Sequence, residues 1–87
     1  MRVRWTPEAA SDLARIVERI RGENSEAAHR VAQTIYNGID AAAEFTAPWA
    51  PDTRELVFAP WPYIVVHEIV ENQVQILLIR HSSQDWP

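Results

Sequence analysis

Two stretches of this 87-residue chain carry the residue types of catalytic sites. His67-Glu68-Ile69-Val70-Glu71 opens like a zinc-protease signature. That signature needs a second His at its fifth position and a helix that brings both ligands to one face. Position 71 is Glu, and the β-branched residues around it indicate a strand, on which residues four apart lie about 13 Å apart, too far to share one metal. His81-Ser82-Ser83-Gln84-Asp85 holds the residue types of a hydrolase triad. Triads assemble from distant chain positions around an oxyanion hole, and nothing places one here. With two glycines there is no phosphate-cradling loop. No metal and no cofactor are expected.

A metal-free ribonuclease is the enzymatic reading with most substance. Cleavage of RNA by its own 2′-hydroxyl needs a base, an acid and cations around a phosphorane-like transition state. Glu55 and His81 share a sheet face in the register set out below and are the candidate base and acid. The cations are missing from that face, because Arg54 and Arg80 are expected on the other, their stems lying over the core. The simpler expectation for His81 is an N–H hydrogen bond that holds the C-terminal tail. His67, opposite Arg54, is expected as a partly buried polar residue.

These residues belong to Thr53–Pro87, which holds three runs rich in β-branched and aromatic residues: Arg54–Phe58, Tyr63–Val70 and Val74–His81. Pro60-Trp61-Pro62 and Glu71-Asn72 divide them, as in an antiparallel meander. If Glu71-Asn72 is a two-residue turn, Ile69 faces Val74 and Ile64 faces Ile79. One face then carries Arg54, Leu56, Phe58, Tyr63, Val65, His67, Ile69, Val74, Ile76, Leu78 and Arg80, and is the expected core face. The other carries Glu55, Val57, Ile64, Val66, Glu68, Val70, Gln73, Gln75, Leu77, Ile79 and His81, with more apolar members than a wet face should have.

Ahead of the meander, Arg2–Trp5 alternates as a short strand. Thr6-Pro7-Glu8 then starts a helix with an N-cap, a proline at the first helical position and an acid in the first turn. Ala9, Leu13, Ile16, Val17 and Ile20 form one apolar stripe, and Gly22 ends it. Asn24 or Ser25 caps a second helix with the stripe Ala28, Val31, Ala32, Ile35, Ile39 and Ala42. Gly38 inside it is tolerated for close packing. Pro48-Trp49-Ala50-Pro51 forms the crossover to the sheet. The expected fold is α+β in the order β-α-α-β-β-β: a helical hairpin on one face of a four-stranded antiparallel sheet, with strand one beside strand four. It forms a single domain, residues 1–87. The uncovered face, with Val57, Ile64, Val66, Leu77 and Ile79, is expected to bind a partner.

A net charge of −4, with every basic residue an Arg, lacks the general footprint of a nucleic-acid binder. The chain has no cysteine, no signal-peptide core and no apolar run of membrane-spanning length, so a soluble cytoplasmic protein is expected.

The element order, the opening W-T-P-E-A-x-x-D-L, N-S-E-A-A-x-R, T-R-E-L-V, P-Y-I-V-V and the ending I-x-x-x-x-H-S-S-Q-D-W-P together resemble the RelE/ParE toxin superfamily. The resemblance runs over the full chain. It implies the toxin of a type II toxin–antitoxin module of the plasmid-stabilisation kind, silenced by a cognate antitoxin whose tail wraps it. RelE-like members cut mRNA on the ribosome with basic residues on the open sheet face. ParE-like members poison DNA gyrase. The basic residues of the first branch would fall near Glu55, Val57 and Ile64, and none of these is basic; only His81 matches. Gyrase is therefore the expected target, with ribosome-dependent RNA cleavage through His81 and Glu55 as the alternative. The antitoxin is expected on Val57, Ile64, Val66, Leu77 and Ile79, with a homodimer through the same face as the competing occupant.

Overall fold

The computed structural model describes residues 2–45, 53–58 and 61–82. The expected Pro48–Pro51 crossover and the Gln84–Pro87 ending lie outside the described residues. The elements are β1 (Arg2–Trp5), α1 (Pro7–Arg21), α2 (Ser25–Phe45), β2 (Thr53–Val57), β3 (Tyr63–Val70) and β4 (Gln73–His81). Both helices pack on one face of a sheet ordered β1-β4-β3-β2. No helix among the described residues is long and apolar enough to cross a membrane.

Each helix start follows from its cap. Thr6 Oγ1 accepts from the Ala9 N–H at 3.1 Å, with Pro7 in the first helical position. Asn24 Oδ1 does the same for Ala27 at 3.0 Å, so Asn24 is the cap of α2. Gly22 keeps a right-handed backbone, and the helical hairpin closes through N–H groups of Gly22, Glu23 and Asn24 on the carbonyls of Glu18 and Ile20. Gly38 has a specific reason: a Cβ there would overlap the Phe58 ring, with Cζ at 2.8 Å. At the β3–β4 turn both Glu71 (φ 50°) and Asn72 (φ 62°) are left-handed, the pattern of a type I′ hairpin.

One expectation is corrected. β2 and β4 are antiparallel to β3, but β1 is parallel to β4, so the sheet is mixed and not wholly antiparallel. The antiparallel expectation took the helical hairpin to return the chain to the side where it began and so to set the direction of β2. Seven residues extended can reach about 23–25 Å, longer than β2 itself, so the helical hairpin does not fix the direction of the next strand.

The core is the expected pair of stripes on the expected sheet face, with one exchange. Leu13, Val31, Ile35 and Ile39 are buried against Val65, Val74 and Ile76, with Ile16, Val17, Ile20 and Leu56 packed around them. Leu78, expected in this core, is absent from it, and Ile79 takes its place. The cause is a bulge in β4. Val66 pairs with Leu78 and His67 with Ile76, which leaves Leu77 as an extra residue. Every side chain after it changes face.

His67 lies deeper than expected, 2% exposed, and its Nδ1 has no hydrogen-bond partner among the described residues. Burial, then the Arg54 guanidinium on the next strand, hold its pKa below the usual value; a backbone hydrogen bond with Val65 works the other way. The folded state thus keeps the imidazole neutral, and the unfolded chain binds more protons between the two pKa values. Stability is complete above the ordinary value of 6.5 and falls below it, by at most about 1.4 kcal/mol per pH unit. Thermal melts from pH 7 to pH 5 should show this fall. His67→Leu should remove most of it, and an unchanged slope would assign the fall to other groups.

Truncating either of two fully buried side chains, Ile35→Ala or Ile76→Ala, should cost about 2–5 kcal/mol in urea unfolding. A loss below about 1 kcal/mol would contradict their burial.

Candidate functional site at the β4 bulge

An inserted residue leaves backbone groups without their ladder partners. Here the start of α1 supplies them. The Thr6 N–H donates to the Ile76 carbonyl at 3.1 Å, and its hydroxyl reaches the carbonyls of Ile76 and Leu77 at 2.9 and 3.0 Å. The same oxygen accepts from Ala9, so one side chain caps the helix and holds the bulge. Six residues on, Asp12 Oδ2 accepts the Ile79 N–H at 3.0 Å, while its other oxygen engages Arg15. β1 pairs with β4 only as far as Ile76, so Asp12 covers the edge where β1 has ended.

This arrangement redistributes the expected site residues. Glu55 stays on the open face, where Arg80 now joins it, Arg80 Nη2 donating to Glu55 Oε2 at 2.6 Å. The Arg80 side chain is only 14% exposed, and a shallow depression of about 280 Å³ lies among Glu55, Val66, Leu78 and Arg80. Its stem spreads over apolar sheet surface, as long cationic side chains do. The expectation that Arg80 points to the helices is corrected by the bulge.

His81 goes the other way. It pairs with Tyr63 in the ladder and meets that ring edge-on at 5.8 Å, on the side where Arg19 donates to the Tyr63 hydroxyl at 3.2 Å. Both line a cleft of about 450 Å³ beside α1, together with Arg15, Arg19 and Ile79. Glu55 and His81 therefore lie on opposite sides of the sheet, and the base–acid pair expected on one face is not assembled. His67 and Glu71 are likewise apart in environment, one in the core and one in an exposed turn. Among the described residues no three His, Asp or Glu side chains cluster in a way that could hold a metal.

Of the five residues expected to contact a partner, Val57 is exposed (67%), and Val66 and Leu77 are half-buried. Ile64, paired with Arg80 and Val57, is 9% exposed. Ile79 is corrected: it belongs to the helix-covered core. Thr6 was legible only as a helix cap, and the roles of Asp12, Arg15 and Arg19 were missed. The signal was present in T-P-E-A-x-x-D-L, whose Thr and Asp stand six residues apart and together hold one kink.

With this geometry in place, the comparisons with known proteins agree. Residues 3–86 match the family model for the ParE toxin of the type II toxin–antitoxin system parDE. The Sinorhizobium fredii protein named "Putative toxin Y4kP" is 40% identical over 90 residues, spanning 99% of this chain and 93% of that protein. Toxin RelE2 of Caulobacter vibrioides is 33% identical over 83 residues, 92% and 93% of the two chains. A solved structure, a chromosomal ParDE toxin–antitoxin system from P. aeruginosa, superposes with a TM-score of 0.76 at 27% identity, covering 93% of this chain and 95% of that one. The fold and these matches lead to one statement: the chain belongs to the ParE toxin family of type II toxin–antitoxin systems.

Proposed function

We propose that this protein arrests growth in the cytoplasm by binding DNA gyrase, without a catalytic step, and that a cognate antitoxin neutralises it. The observation that carries the reading is the separation of Glu55 from His81 by the β4 bulge. A ribonuclease needs its base, acid and cations around one phosphate. Here the open face offers Arg80 already bound to Glu55, and the His lies beyond the sheet. Membership of the ParE family supports gyrase over the ribosome as target.

The antitoxin surface in this reading is the open face next to the β2 edge. Val57 stands exposed on a strand that is the edge of the four described ones, and Val66 and Leu77 continue the apolar ground. An extended segment added to β2 would pair with its backbone and cover Val57. Val57→Asp should abolish this contact, because it would bury an unpaired carboxylate. Hydrogen exchange of β2 decides between occupants. Protection that rises with toxin concentration alone and ignores antitoxin would mean a homodimer.

The decisive assay compares gyrase supercoiling with cleavage of mRNA on translating ribosomes. Supercoiling should be inhibited and mRNA left intact; the reverse result overturns the proposal. His81→Ala should keep gyrase inhibition. It should lose the edge-on contact with Tyr63, about 0.5–1.5 kcal/mol, read as a melting shift of about 4–8 °C per kcal/mol.

A further inference from the structure

One row on the open face of the sheet changes the sign of its charge across a single strand. Arg4 pairs with Gln75 in the ladder, and Gln75 with Glu68, so the three stand side by side on β1, β4 and β3. Val3 and Trp5 pack against the core and His67 is buried in it, which leaves Arg4 and Glu68 on the opposite face. Two strand spacings, about 10 Å, separate them, with Gln75 between. Neither enters an ion pair among the described residues. The neighbouring row has the same cationic start and an apolar end: Arg2, Gln73 and Val70, the last 40% exposed.

We infer that a second copy of this chain closes the β1–β4–β3 part of the open face, in a two-fold dimer whose axis runs nearly along β4. A row that reads plus, neutral, minus is its own complement when turned about its middle residue. The turn lays Arg4 of each copy on Glu68 of the other. It sets Gln75 beside its own counterpart, where two side-chain amides can exchange hydrogen bonds. Arg2 lies over Val70 of the second copy, its aliphatic stem covering that exposed side chain. Leu78, half-buried on the same face beyond the bulge, meets its counterpart near the axis. Sheets packed face to face keep their strands within about 30°, which an axis within about 15° of β4 satisfies. Other occupants fit this row less well. A nucleic-acid strand repeats one sign of charge, and Glu68 would repel the phosphates that Arg4 attracts. A strand added from another chain pairs with an edge, and β4 and β3 are the interior of the sheet.

The contact is small. A stable specific interface buries about 800 Å² on each partner, and three short strands offer less, so the dimer is weak and exchangeable. It leaves Val57 and β2 outside the contact and does not depend on the gyrase or antitoxin reading. Sedimentation of the whole chain between about 10 µM and about 1 mM tests it. A reversible monomer–dimer equilibrium is expected, weakened by salt, with a dissociation constant on the order of 0.1 mM. Arg4→Glu alone, or Glu68→Arg alone, sets like charges together at both symmetric contacts and should weaken the dimer about tenfold. Arg4→Glu/Glu68→Arg restores opposite charges and should return the constant to within about threefold of the unaltered chain. Damage to the fold would not be rescued in this way. If circular dichroism shows a charge-reversed variant to be unfolded, Arg4→Gln and Glu68→Gln decide, each weakening the dimer about threefold. A chain that stays monomeric throughout overturns the inference. So does a dimer indifferent to both single changes, or a double variant as weak as either single one. A dimer that Val57→Asp abolishes and the charge variants retain would place the contact at the β2 edge, and overturns it as well.

Discussion

A strand that changes face midway must still satisfy its backbone, and the chain depends on how it does this at Leu77. The Thr6 N–H and hydroxyl take the carbonyls on either side of the extra residue, and the Asp12 carboxylate takes the amide two residues beyond. Each bond is worth only about 0.5–1.5 kcal/mol net, but an unpaired buried partner would cost more than that. Together they fix the kink. Ile79 then packs beneath the helices, Arg80 reaches Glu55 on the open face, and His81 meets Tyr63 beside α1.

Most of the fold was legible in the sequence because it is local. Thr6-Pro7, the two apolar stripes and Glu71-Asn72 each announce an element through their own backbone chemistry. The pairing of β2 with β3, Arg54 to His67 and Leu56 to Val65, follows from parity alone. What failed was non-local. A bulge has no signature of its own in Q-I-L-L-I-R-H, whose alternation is hidden by an unbroken apolar run. The direction of β1 against β4 depends on a connection too long to constrain it. Both errors come from treating residues far apart in sequence as if local rules set their relation.

The same kink sorts the chemistry. One face keeps an acid and an arginine already joined, and the other gathers a histidine, a tyrosine and two arginines against α1. Among the described residues, the Glu55 and His81 of the expected base–acid pair stand on opposite sides. Both sides have what recognition requires: apolar ground, partly covered, with charges at its margin. For a toxin this small, contact surface is the larger resource.

The parallel pairing of β1 with β4 has a consequence for the timing of folding. Thr6 is tied to Ile76 and Leu77, and Asp12 to Ile79, across separations of 67–71 residues. Contacts so distant raise the contact order and can form only after β4 has been synthesised. During translation α1 and α2 at first have only β1 to pack on, since β4 and β3, the centre of the sheet, come later. The nascent chain therefore has neither the helix-covered face nor the open face of the sheet until β4 emerges.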